Sequence, residues 1–122
     1  MQGMSTSEIA TVLAWHDALA AGDLETLEQL SSDGIEVADA NGAAQGHQAL
    51  RRWAAEAEIT AGIGRMYVHD GVVVAELVPV GAGSAQAVAF RVVRDQVAAV
   101  FRHDGLDAAL AATDLTEADR VD

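Results

Sequence analysis

Apolar residues recur along the first third of the chain at helical spacing and along its second half at strand spacing. Ile9, Val12, Leu13, His16 and Ala20 fall on one stripe of a 3.6-residue period, which Val12, Trp15 and Leu19 widen. Ser5 precedes Glu8 by three residues, the spacing of a capping box, so the first helix is expected to open there. Gly22 is expected to close it, and Asp23 to cap a short second helix with Leu24, Leu27 and Leu30 inward. The cluster Ser31-Ser32-Asp33-Gly34 reads as a turn. The period then drops to two. Ile35, Val37 and Asp39 share one face of a strand, and Glu36, Ala38 and Ala40 share the other. Asn41-Gly42 is a turn signal, and His47 to Glu58 predicts a third helix with Leu50, Trp53 and Ala57 at helical spacing.

From Ile63 onward the pattern alternates strand and turn. Ile63–Val68 and Val72–Val80 flank Asp70-Gly71, a hairpin signal, and Pro79 points to an edge or a bulge. Gly81 to Ser84 is a connection. Gln86–Arg94 and Val97–Arg102 flank Asp95-Gln96, a second expected hairpin, and Asp107 to Ala112 suits a helical turn or two. Three helices around one early strand, followed by three or four antiparallel strands, define an α+β chain with its helices on a curved, mainly antiparallel sheet. The chain reads as a single domain over residues 1–122, with fraying expected over 1–5 and 116–122.

Composition narrows the function classes. The chain has 122 residues, 51% of them apolar, enough for one modest core and too many for a disordered chain. It lacks cysteine, which rules out disulfides and thiolate metal sites. The formal net charge is -12, and all seven basic residues are arginine. Such a surface makes nucleic acid and anionic membrane poor partners, because both require phosphate neutralisation. No apolar run approaches the roughly 20 residues needed to span a bilayer, and no secretory pattern opens the chain, so a cytoplasmic location is expected.

The order and spacing of three segments carry a family likeness. Val12 to Leu27 is a helix running through Ala21-Gly22-Asp23-Leu24 into a second helix. Ile35 to Trp53 is a strand, a loop, and then Gly46, Leu50 and Trp53 entering a third helix. Ala89 to Leu115 is a last hairpin and tail. Together they resemble the nuclear-transport-factor-like superfamily, in particular its SnoaL-like and ketosteroid-isomerase-like domains. The resemblance implies a cone-shaped α+β barrel around a deep apolar pocket for a small hydrophobic molecule, and a homodimer formed through the open sheet face. Its members include isomerases, cyclases, dehydratases, epoxide hydrolases and plain binding proteins, so the fold does not fix the activity.

Asp39 is the leading candidate for chemistry. If the Ile35–Val37 face is the core, Asp39 points into the pocket, where lost hydration raises a carboxylate's pKa and suits it to general-base work. It also falls where the resemblance implies the proton-moving aspartate of ketosteroid isomerases. The bland alternative is an Asx-type turn role beside Asn41-Gly42. The isomerase pattern also implies a tyrosine on the first helix and a protonated aspartic acid on a late strand. Trp15 and Val88 stand at those positions, so the oxyanion-binding pair is missing. Trp15, His16 or Tyr67 could supply donors in its place. Tyr67 and His69 alternate with Met66 and Val68, and either pair could face inward. Trp53, Phe90 and Val88 are candidate lining, with core packing as the alternative, and His103 ends the last strand near a possible pocket mouth. The four histidines show no close metal-ligand spacing, and no phosphate loop or nucleophile elbow occurs, so neither metal nor cofactor is expected.

Overall fold

The computed structural model describes residues 2–39, 42–56, 62–78, 86–103 and 105–120. Helix α1 spans Gln2–Ala21 and α2 spans Leu24–Gln29. Strands β1 (Ser31–Asp39) and β2 (Gly42–Gln45) precede α3 (His47–Glu56). Strands β3 (Gly62–His69), β4 (Val72–Val78), β5 (Gln86–Val93) and β6 (Gln96–His103) follow, then α4 (Leu106–Thr113) and a 3-10 turn at Glu117–Asp119. The strands form one mixed sheet in the order β2-β1-β6-β5-β4-β3, in which β1 runs parallel to β6 and every other pair is antiparallel. This is the expected α+β class.

Local chemistry explains most element ends. Gly22 adopts a φ of +72° and Asp23 N–H donates to Ala18 O at 2.9 Å, closing α1 in a Schellman arrangement. The Asp23 side chain then accepts from Thr26 N–H and caps α2. Asp70 and Gly71, with φ of 53° and 84°, join β3 to β4. Four expectations shift. Helix α1 opens at Gln2, so Ser5 lies inside it and not at its cap. On α1, Trp15 and Leu19 are buried beside Val12, whereas Leu13 is 40% exposed and Ala20 is exposed. The Ser31–Gly34 cluster is not a turn but the irregular start of β1, whose register against β6 slips between Ser31 and Glu36. The last hairpin turns at Arg94 and Asp95, one residue before the expected pair, with φ of 52° and 63°. Of the remaining sequence readings, Ala40, Asn41, Ala57, Glu58, Pro79, Val80 and the Gly81–Ser84 connection lie outside the described residues.

The sheet has two covered faces. On the inner face, Met66, Val68, Val73, Ala75, Leu77, Val88, Phe90 and Val100 pack with Val12, Trp15 and Leu19 of α1 and with Leu50 and Trp53 of α3. On the outer face, Tyr67, Val74, Ala87 and Ala89 pack against Ala109 of α4 and Leu115. Residues 116–120, expected to fray, are laid along β3: Arg120 bridges to Tyr67, and Thr116 and Asp119 form a capping box around the 3-10 turn. Helix α4 and Leu115 thus cover part of the outer face. Among the described residues, no helix is long and apolar enough to cross a membrane.

Candidate functional site

Three aromatic rings from three elements meet on the inner face. Trp15 of α1 lies 5.4 Å from Phe90 of β5, edge to face, and 5.9 Å from Trp53 of α3, tilted by 46°. Both separations suit aromatic pairs. Val88, two residues before Phe90, shares its inward parity and is buried. Trp15, Trp53 and Phe90 thus meet, and Val88 belongs to the same inner-face core.

The polar ends of these rings are less free than the sequence suggests. Trp15 Nε1 donates to Ser31 Oγ at 2.9 Å, and Ser31 Oγ donates to Leu27 O at 2.7 Å. Ser31 is 1% exposed, so this chain of bonds satisfies buried donors and locks α1 and α2 to the irregular start of β1. His47 Nε2 lies 3.3 and 3.1 Å from the carbonyls of Ser31 and Ser32; with its proton on Nε2 it ties α3 to the same point. The indole N–H of Trp15 is thus committed and cannot serve a ligand without breaking this tie. His16, one residue on, is buried and holds interactions of its own.

Tyr67 and His69 face outward, and Met66 and Val68 face inward. The Tyr67 hydroxyl donates to Glu117 Oε2 at 2.6 Å, a bond to a carboxylate that, with burial, pushes the phenol pKa up. His69 Nδ1 lies 3.5 Å from Asp119 Oδ1. Both residues hold the C-terminal turn against β3, away from the aromatic cluster. His103 is also separated from it. Its register partner is Ala87, an outer-face residue, and the residue opposite inward-facing Val88 is Arg102.

Arg102 was not singled out by the sequence. Its guanidinium carbon lies 5.8 Å from the Trp53 ring centre, within cation–π range. The side chain is half-buried, and its Nε is shielded from solvent with no hydrogen-bond partner among the described residues. Ala38 of β1 stands opposite Phe101 of β6, so the parallel register brings the backbone of Asp39 beside that of Arg102. Asp39 ends β1, paired with Gly42, on the pleat face of Ile35 and Val37; its side chain lies outside what the structure describes. The inner face therefore carries three packed aromatic rings, a guanidinium over one of them, and the backbone of Asp39 next to that arginine. Elsewhere, Glu8 of α1 reaches the Asp70-Gly71 turn, where burial raises its carboxyl pKa. Among the described residues, no group of three or more metal-ligating side chains converges.

A mixed sheet of this order with helices on its concave side defines a nuclear-transport-factor-like cone. The family model of the SnoaL-like domain matches residues 12–105, and the chain belongs to that family. Solved structures with the same fold include an NTF2-like protein of unknown function from Cytophaga hutchinsonii, at 10% identity and a TM-score of 0.68, covering 79% of this chain and 88% of that one. A candidate ketosteroid isomerase from Kribbella flavida matches at 16% identity and a TM-score of 0.67, over 80% of this chain and 76% of that one. An LEH-like epoxide hydrolase from M. tuberculosis matches at 15% identity and a TM-score of 0.67, over 88% of this chain and 92% of that one. At these identities the likeness is one of fold. No curated protein matches the sequence.

Proposed function

We propose that the chain binds a small, flat, hydrophobic molecule on the inner face of its cone, and that Asp39 acts there as polar anchor and as base for proton transfer next to a carbonyl, in the manner of an isomerase or cyclase. The observation that carries this reading is the meeting of Trp15, Trp53 and Phe90 on the inner face, with Arg102 over Trp53 and the backbone of Asp39 next to that of Arg102. An apolar, aromatic surface suits a ring-bearing ligand, and a carboxylate that lost hydration beside it would serve as a base near neutral pH. Proteins of similar fold include a candidate ketosteroid isomerase and an LEH-like epoxide hydrolase, so enzymes are among the functions this fold supports.

A second reading, a binding module without catalysis, is favoured by one observation. Two of the donors that could replace the missing oxyanion pair are already spent, Trp15 on Ser31 and Tyr67 on Glu117. Homodimerisation belongs to the proposal under either reading, through surface that α4 leaves uncovered.

A thermal-shift screen of steroids, polyketide-like aromatics and fatty acids on the wild type and on Asp39→Asn tests the proposal. A class that raises the wild-type melting temperature, with a changed response in Asp39→Asn, supports a ligand site with Asp39 in its wall. Binding without turnover of that class supports the module. No stabilisation by any class, with both proteins melting alike, overturns both.

A further inference from the structure

We propose that Arg102 receives an acidic oxygen group of the ligand, so that the site takes a flat apolar molecule bearing a carboxylate. This rests on the inner face being a ligand site and adds to it the class of compound bound.

Among the described residues, the other arginines have other surroundings. Arg51 pairs with Glu28, Arg65 with Glu76 at 3.1 Å, and Arg120 with Glu117 at 3.8 Å, while Arg52, Arg91 and Arg94 stand exposed. Arg102 alone is placed opposite Val88 and over Trp53, on the face of the aromatic cluster. A guanidinium cannot shed its charge, and it presents five N–H donors in a fixed fork. One of those donors, Nε, is shielded from water and unmet among the described residues. An unmet charged donor in an apolar setting is costly, and the group that offsets the cost best is a carboxylate taken up by two parallel bonds. A neutral carbonyl accepts fewer and weaker bonds. The same geometry supplies the apolar half of the ligand: a ring attached to that carboxylate would lie toward Trp53, Trp15 and Phe90. Because the chain carries a net charge of -12, long-range attraction does not draw an acid in, and recognition has to be local to this guanidinium.

The rival assignment is a purely internal pair between Arg102 and its strand neighbour Asp39. Titration calorimetry on the full chain with naphthalene-2-carboxylic acid and naphthalene-2-carboxamide, which differ in charge but hardly in shape, separates the two. The wild type is expected to bind the acid about tenfold or more tightly than the amide, Arg102→Met to lose that preference, and Asp39→Asn to keep or strengthen it. Equal binding of acid and amide by the wild type overturns the proposal while leaving the ligand site intact. So does an acid preference that survives in Arg102→Met, or one that appears only in Asp39→Asn, which would mean that Asp39 occupies the guanidinium. If neither probe binds the wild type, the proposal falls; whether the ligand site falls with it is read from the neutral steroids and aromatics of the screen. Should Arg102→Met not fold, Arg102→Lys, which keeps charge but loses the fork, is expected to weaken the acid preference, and the wild-type acid-to-amide ratio decides independently.

Discussion

The indole nitrogen of Trp15 is bonded to the hydroxyl of Ser31 across 16 residues of sequence, at 2.9 Å, and the same hydroxyl passes its own proton to the Leu27 carbonyl. One small side chain thereby joins α1, α2 and β1 in the core. Ser31→Ala would leave the indole N–H buried without a partner, which costs about 1–3 kcal/mol. The expected outcome is a loss of that size in urea unfolding. Trp15 fluorescence should change as well, because its ring is freed from a fixed donor geometry. An unchanged midpoint would mean that water or another acceptor replaces Ser31.

The Tyr67–Glu117 bond makes stability depend on alkaline pH. The bond and burial raise the phenol pKa above 10.0, so the protonated phenol is favoured in the folded state. The sign follows: the contribution is fully present below pH 10, the unfolded value, and is lost as pH rises through the higher folded value. Tyr67 is the chain's one tyrosine, so an absorbance titration reads it directly. Its midpoint should lie above 10 in the native protein, and Tyr67→Phe should lose about 1.5 kcal/mol at neutral pH while showing a shallower alkaline decline. A native midpoint at or below 10 would show that the bond does not hold in solution.

Arg94 and Asp95 both adopt left-handed backbone at the tip of the last hairpin, without a glycine between them. Two-residue hairpin turns of this hand favour asparagine first and glycine second. Arg94→Asn removes part of the steric penalty of the left-handed conformation and should stabilise the fold by roughly 0.5 kcal/mol. The check is the denaturation midpoint, with no change in its slope.

The position of that turn also explains what the sequence hid. Helix and strand periods were strong enough to reveal α1, α3 and β3 to β6, and Trp15, Trp53 and Phe90 were legible as inward-facing because each repeats the spacing of apolar neighbours. A turn at Asp95-Gln96 would have set Val88 opposite His103. The turn instead falls at Arg94-Asp95, and a bulge between Arg91 and Val92 adds one step, so Val88 faces Arg102. A slip of one residue exchanges the two faces of a strand, which sent His103 outward and brought Arg102 in. Strand β2 was missed because all four of its residues are exposed and carry no alternation. The commitments of Trp15 and Tyr67 depend on Ser31 and Glu117, partners that no local spacing reveals. The Asp39 reading rests on strand parity and on the backbone register with β6.

The parallel pairing of β1 with β6 has a consequence for biogenesis. The first strand of the sheet pairs early with β2 along one edge, but finds the neighbour along its other edge only in the last strand. While the chain is being synthesised, β1 and the helices beside it can collapse but cannot complete the sheet, and the inner side of β1 lacks the strand that carries Arg102. The long loop that must close before this pairing forms places the nascent chain among slower, higher-contact-order folders. Closing the sheet and assembling the candidate site are then one event, late and shared, so that a chain cut short before β6 would lack the site and the edge protection of β1 together.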